Sequence, residues 1–181
     1  MNMYLRVLWH TWLARRGRRI SVWEVARTGF RVLPADLDIY RHVNNGRYLS
    51  IMDLGRLDWM LRTDLYPEFG RRGWYPVVAA SSIAYRRSLT LWQRFTVETK
   101  FIGVDARAFY VEQRFVRGGQ VYATGIVRGR MLSRAGGIVT NEELFAVTGE
   151  PPEGLVLPEW VARWAADSAL PPSKADAPSV W

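Results

Sequence analysis

Apolar positions change their period along the chain, and each period predicts an element. From residue 3 to 14 they fall at Tyr4, Val7, Leu8 and Trp12, a helical spacing. Arg15, Arg16, Arg18 and Arg19 follow, where cations suit the negative end of a helix dipole. Over residues 21–33, Val22, Trp23, Val25, Phe30, Val32 and Leu33 mix with polar residues in rough alternation, which predicts a strand. Pro34 ends it, since it offers no N–H to a ladder. Residues 45–62 predict the longest helix, about 27 Å at the standard rise. Its apolar residues, from Tyr48 and Leu49 to Met60 and Leu61, wrap most of the circumference, so the helix is expected to be buried. Asn44 or Asn45 would cap its start, because a side-chain amide oxygen accepts from free backbone N–H groups.

After Leu65-Tyr66-Pro67 and a Gly70-Arg71-Arg72-Gly73 turn, the period becomes two. Strands are predicted over residues 77–88, 94–104, 108–117 and 121–133. Phe95, Val97, Thr99 and Phe101 share one face, as do Phe109, Val111, Gln113 and Phe115. Arg117-Gly118-Gly119-Gln120 is a strong hairpin turn, since Gly reaches positive φ without steric cost. Ala135-Gly136-Gly137 is another turn, leading to a short apolar Ile138-Val139. Thr140 and Glu143 have capping-box spacing and open a helix that Gly149 and Pro151 close. Residues 160–166 predict a last helical piece, and residues 170–181, with three Pro, a loose tail.

The order strand, long apolar helix, then several antiparallel strands defines an α+β class. One buried helix needs a sheet around it, and a curved antiparallel sheet wrapped on a central helix is the simplest solution. The chain then divides into a basic amphipathic helix (1–20), the main domain (21–149) and a Pro-rich extension with a short helix and tail (150–181).

Composition narrows the function classes. The chain has 181 residues, 49% of them apolar, with nine Trp, enough for a substantial core and against disorder throughout. It has no Cys, which excludes disulfides, thiol catalysis and Cys-ligated zinc and fits a reducing compartment. Two His, His10 and His42, are too few for a His-rich metal site. The net charge of +8 favours anionic partners, nucleic acid, acidic lipid or a phosphorylated ligand such as coenzyme A, with solubility alone as the plainer alternative. No apolar run reaches the roughly 18 residues of a membrane span. Arg6 and the lack of a small-residue cleavage site argue against a signal peptide. A cytoplasmic protein is expected, with residues 3–19 either packed on their own domain or a second subunit, or lying on an anionic membrane.

The chemistry concentrates in Asp36-Leu37-Asp38-Ile39-Tyr40-Arg41-His42-Val43-Asn44-Asn45, directly before the long helix. A helix N-terminus presents free N–H groups and the positive end of the dipole, which stabilises negative charge developing on a substrate oxygen. A carboxylate there can act as base or nucleophile, and Asp38 is the candidate. The same residues also suit a simple capping loop. Asp53 is either a second acid–base group or the partner of Arg56, its neighbour at a helical spacing of three. Arg86, Arg87, Arg128 and Arg130 could hold phosphates, which guanidinium groups suit, or be solvated strand faces. Tyr48 would line the substrate side of the helix. Trp59, Trp74 and Trp92 are expected to pack.

The string DLDIYRHVNNGRYL resembles the loop-and-helix motif of hotdog-fold acyl thioesterases, in particular the D-L-D-x-x-x-H-V-N-N-x-x-Y segment of plant acyl-carrier-protein thioesterases. Residues 30–130 resemble the thioesterase superfamily member 6-like branch, related to 4-hydroxybenzoyl-CoA thioesterases. That resemblance rests on Arg31-Val32-Leu33-Pro34, Asn44-Asn45-Gly46-Arg47-Tyr48-Leu49, Tyr85-Arg86-Arg87-Ser88-Leu89 and Asp105-Ala106-Arg107-Ala108-Phe109-Tyr110. It implies a hotdog fold and hydrolysis of an acyl-CoA or acyl-carrier-protein thioester, without metal or other cofactor. It also implies a homodimer or dimer of dimers with sites at the subunit contact. Asp38 takes the place of the loop carboxylate, His42 of the motif His, and Asn44 and Asn45 shape the helix start. Asp53 falls where relatives carry Glu. Tyr40 departs from the plant pattern, which has Asn there, so Tyr40 is at most an alternative participant. A non-catalytic acyl-CoA- or lipid-binding protein on the same fold is the alternative reading. The hotdog dehydratases place Asp and His five apart around Asn-Pro, unlike Asp38 and His42 here. No nucleic-acid motif accompanies the charge.

Overall fold

A computed structural model describes residues 3–171 and 175–179, so parts of the expected 170–181 tail lie outside the described residues. Its elements are α1 (Tyr4–Arg16), β1 (Ala26–Arg31), a 3-10 turn at Pro34–Asp36, α2 (Asn45–Arg62) and α3 (Leu65–Arg72). Then follow β2 (Trp74–Tyr85), β3 (Arg94–Val104), β4 (Phe109–Arg117), β5 (Gln120–Ser133), α4 (Asn141–Thr148) and α5 (Glu159–Asp167). The strands form one antiparallel sheet in the order β1-β3-β4-β5-β2, curved around α2. This is the α+β hotdog architecture that the pattern and the motif imply.

The two predicted inward faces build the core. Val97, Thr99, Val111, Gln113 and Phe115 are all fully buried. Phe30, Val32, Ile51, Met52 and Phe115 cluster around the first half of α2. Trp59, Phe69, Phe101, Val111 and Met131 cluster around its second half. Between them Gln113 ties helix to sheet: its Nε2 donates to the Met52 carbonyl (3.0 Å) and to Thr99 Oγ1 (2.9 Å). Arg56 donates in turn to Gln113 Oε1 (2.7 Å). The helix can come this close because position 55 is glycine: a Cβ there would sit 2.9 Å from Gln113 Nε2. The β4–β5 hairpin closes at Gly118 (φ 55°) and Gly119 (φ 71°), the left-handed pair that a two-residue turn requires.

Several expectations change. Only residues 26–31 of the first predicted strand pair with the sheet, because Ser21 and Glu24 bond to each other and hold residues 21–24 in a turn. The turn expected over residues 70–73 is the end of a helix, α3, which Gly73 closes in a left-handed conformation. Pro67 stands in its first turn, where an N–H has no helical partner to lose, and Glu68 pairs with Arg71 and Arg72. Burial of α2 is incomplete. Asn45, Leu49 and Asp53, each four residues apart, form an exposed stripe, because a sheet from one chain covers only part of the helix.

The N-terminal helix packs on its own domain, but not through the large apolar side chains that predicted it. Its inward residues are Arg6, Val7, His10 and Ala14; the His10 ring packs on Phe30, tilted by 33°, with centroids 4.4 Å apart. Tyr4, Leu8 and Trp12 face outward. Trp92 also departs from the packing expectation, being half exposed beneath Arg31. The last helix is integral to the fold: Val161 and Ala165 of α5 bury against Ile102, Tyr110 and Ile126 on the outer face of the sheet.

Candidate active site

The loop between the 3-10 turn and α2 is pinned at both ends by Asp36. The Asp36 carboxylate is 1% exposed, accepts from Arg6 Nη1 with both oxygens (2.7 and 2.9 Å), and accepts from the Leu33 N–H (2.9 Å). Its carbonyl accepts from the Asn44 N–H (2.8 Å). Of the two acidic residues in the motif, Asp36 is thus the anchor, and Asp38 stands on the loop it anchors.

Asp38 closes that loop on itself. Its N–H donates to the His42 carbonyl (2.8 Å), and its Oδ1 accepts from the backbone N–H groups of Tyr40 (2.8 Å) and His42 (3.2 Å). Arg41 takes a left-handed conformation (φ 61°) to make the reversal. One carboxylate oxygen is therefore fixed, while Oδ2 has no protein donor among the described residues.

Asp38 opens on a cleft of about 240 Å³ lined by His42, Val43, Asn45, Tyr48, Tyr85, Arg86, Arg87 and Ser88. The cleft lies between the start of α2 and the end of β2. Asn44 caps α2, its Oδ1 accepting from the Gly46 N–H (2.9 Å); Asn45 is the first helical residue. The expected bank of free amides over residues 42–45 is smaller than its sequence suggests. His42 N–H goes to Asp38, Val43 N–H to the Leu89 carbonyl and Asn44 N–H to the Asp36 carbonyl. Among the described residues, Asn45 keeps the one N–H of these four without a partner. The Asn45 carbonyl accepts from Tyr85 Oη (3.2 Å), and the Tyr85 ring meets Tyr48 edge-on at 5.0 Å. Burial raises both phenols above their ordinary range, so both keep their proton at neutral pH.

The remaining predicted residues separate. Arg86 and Arg87 line the cleft; their backbone N–H groups both donate to the Tyr122 carbonyl (2.8 and 3.0 Å), and among the described residues no carboxylate pairs with either side chain. Tyr40 is 74% exposed and stands outside the cleft lining; it contributes its backbone N–H to Asp38. Arg128 lies on the outer face of the sheet, donating to Asp105 (3.2 Å) and to the Ala165 carbonyl (3.3 Å), so it holds α5 and does not reach the cleft. Arg130, two residues on, shares that outer face. Asp53 pairs with Arg56 and lies about 12 Å along α2 from Asn45. Tyr85 and Ser88 were not singled out in the sequence; their signal was the Tyr85-Arg86-Arg87-Ser88 string, which the fold brings opposite Asp38.

Asp53 and Arg56 belong to a second, apolar chamber of about 260 Å³ between α2 and the sheet, whose walls include Trp59, Met60, Phe101, Val127 and Met131. The exposed Leu49 lies between cleft and chamber on the same stripe of α2.

Known proteins resemble this chain in sequence and in fold. The profile of the thioesterase-like superfamily matches residues 32–165. Protein THEM6 of Xenopus laevis is 46% identical over 85 residues, 47% of this chain and 41% of that protein. Protein THEM6 of Drosophila melanogaster is 34% identical over 125 residues, 68% of this chain and 62% of that protein. The chain thus spans about half the length of these relatives. The long-chain acyl-CoA thioesterase FadM of Escherichia coli (strain K12) is 28% identical over 87 residues, 48% of this chain and 66% of that protein. Among solved structures, "YbaW Probable Thioesterase" from Escherichia coli superposes with a TM-score of 0.64 at 25% identity, covering 67% of this chain and 95% of that one. The DHNA-CoA thioesterase of Staphylococcus aureus superposes with a TM-score of 0.60 at 14% identity over 79% and 90% of the two chains, a likeness of fold alone. With three quarters of its length inside the profile and the motif loop set before the central helix, this chain belongs to the thioesterase-like superfamily.

Proposed function

We propose that the protein hydrolyses an acyl thioester carried on coenzyme A, with Asp38 as the group that activates water. The observation that carries this reading is the pairing of Asp38 with Asn45 across one cleft. A carboxylate with one oxygen held lines the same cleft as Asn45, whose N–H has no partner among the described residues and lies at the positive end of the 18-residue helix α2. The thioester carbonyl oxygen would accept from the Asn45 N–H, where the helix dipole favours the charge that develops on it. Asp38 Oδ2 would take a proton from water as the oxygen of that water bonds to the carbonyl carbon; collapse of the adduct breaks the C–S bond and releases the thiolate, which takes the proton back. His42, which lines the cleft, would contact the carrier. Arg86 and Arg87 lack carboxylate partners and suit its phosphates. The acyl chain would follow Leu49 into the chamber under Trp59 and Phe101. These steps call for no metal or further cofactor.

The long β2 ends the sheet with unpaired backbone groups, and a second copy pairing there would cover them and wall the cleft and the exposed stripe of α2. A dimer is therefore part of the proposal, and its mass in light scattering tests it. The activity is tested by hydrolysis of an acyl-CoA series by wild type and Asp38→Asn. Turnover lost in the variant with acyl-CoA binding retained supports Asp38 as the base. Equal turnover in both removes that role, and binding without turnover in wild type selects the non-catalytic alternative.

A further inference from the structure

The outward face of α1 carries a property that the catalytic reading does not use. Tyr4, Leu5, Leu8, Trp9, Trp12 and Leu13 are all exposed, Leu5 by 80% and Leu8 by 66%. A 13-residue helix that is held to its domain by one face thus shows six large apolar side chains on the other. Single exposed apolar residues need no explanation, but a contiguous stripe about 14 Å long does.

The surroundings of the stripe are cationic. Arg15 and Arg16 end the helix, with Arg16 over the Trp12 ring at 4.0 Å, and neither pairs with a carboxylate among the described residues. The first acidic residue of the chain is Glu24. Trp9 and Leu13 also form one wall of a groove whose other wall is Arg31, Arg94 and Arg117 at the ends of β1, β3 and β4; no Asp or Glu lines it. A second depression shares those three arginines and adds Leu91 and Trp92. Trp92 is 52% exposed and held out by a left-handed backbone (φ 63°). Helix, groove and loop therefore form one surface in which aliphatic and indole side chains alternate with guanidinium groups that have no carboxylate partner among the described residues.

From this surface we infer that the protein docks on an anionic lipid bilayer through α1, with Leu5, Leu8, Trp9 and Trp12 in the interface and the arginines on lipid phosphates. Charge decides the occupant. A second copy would bring the same uncompensated cations against these, and like charges facing each other repel. A nucleic acid would leave the leucines without an apolar partner. An anionic membrane satisfies both halves: apolar side chains enter the headgroup boundary, Trp favours that depth, and each nearby cation adds attraction. The inner face anchors the helix, through Arg6 on Asp36 and His10 on Phe30, so docking needs no unfolding of the domain.

The test is co-sedimentation of the full chain with vesicles of phosphatidylcholine alone and with vesicles of equal parts phosphatidylcholine and phosphatidylglycerol. Binding to the mixed vesicles only, weakened by salt, is expected. Leu8→Ser with Trp12→Ser should lower it by about tenfold or more, and Arg31→Gln with Arg94→Gln and Arg117→Gln by a similar factor. Unchanged thermal unfolding of both variants shows that the fold is intact. No binding to the mixed vesicles overturns the inference, as does binding that survives Leu8→Ser with Trp12→Ser. A drop in oligomer mass in that variant, without any vesicle binding by wild type, assigns the stripe to self-association and overturns it as well.

Discussion

Arg6 and Asp36, 30 positions apart in sequence, meet in a two-oxygen ion pair that joins α1 to the base of the motif loop. Asp36 is among the most buried carboxylates of the protein, and a buried charge that loses its partner is costly. Arg47 (3.8 Å) and the Leu33 N–H stay with it, so the loss is partial. Arg6→Ala should destabilise the fold by about 3 kcal/mol, read from the midpoint of urea unfolding. A shift below a tenth of that would show that the pair does not hold the helix.

Acid should loosen the same helix. Burial, reinforced by the neighbouring Arg6 charge, depresses His10 from its usual 6.5 to about 4. The native state therefore binds fewer protons than the unfolded chain between those values. The stabilisation is fully present above about pH 6.5 and is lost as pH falls towards 4, up to about 3 kcal/mol in all. Unfolding free energy measured across that window should fall in wild type and more gently in His10→Gln.

Two effects of opposite sign meet at Gly55. Alanine in a helix interior gains about 1 kcal/mol over glycine. The added methyl, however, would stand 2.9 Å from Gln113 Nε2 and 3.0 Å from Val97 Cγ1, and both neighbours are fully buried. Overpacking of about 1–3 kcal/mol, together with strain on the hydrogen bonds of Gln113, should win. Gly55→Ala is expected to lower the melting temperature; a rise would mean that the helix can lift off the sheet without cost.

Asp53 offers a control for Asp38. Its side chain is 68% exposed and serves Arg56, and an exposed pair is worth about 1 kcal/mol or less. Asp53→Asn should therefore keep turnover within about fivefold of wild type, whereas Asp38→Asn should abolish it. A collapse of kcat in Asp53→Asn would move the chemistry to the helix.

The chamber predicts chain-length dependence. Val127 forms part of its wall from β5. Val127→Phe should place a ring in the empty volume and lower kcat/KM for long-chain acyl-CoA by about tenfold or more while sparing short-chain substrates. Equal losses for both would take the acyl chain out of the chamber.

Local pattern settled much of this protein before any tertiary contact. The period-two faces of β3 and β4, the Gly118-Gly119 hairpin, the Thr140 capping box and the full extent of α2 are each set within a few residues by sterics, pairing and capping. The motif also marked the loop that bears Asp38 and the helix start that bears Asn45. What needed the folded chain is every choice among chemically equal residues. Asp36 and Asp38 have the same side chain two positions apart, and only the arrival of Arg6 makes one an anchor and leaves the other open to a cleft. Arg86 and Arg128 are the same cation, one just past the end of β2 and the other on β5, and where the closed sheet sets each one decides that the first lines the cleft and the second clamps α5. The apolar period of α1 predicted a helix correctly yet could not say which face is buried, because that depends on where Phe30 and Asp36 stand when the sheet has closed. Long-range partners carry no local periodicity, and for that reason the sequence shows the elements and the tertiary structure assigns their roles.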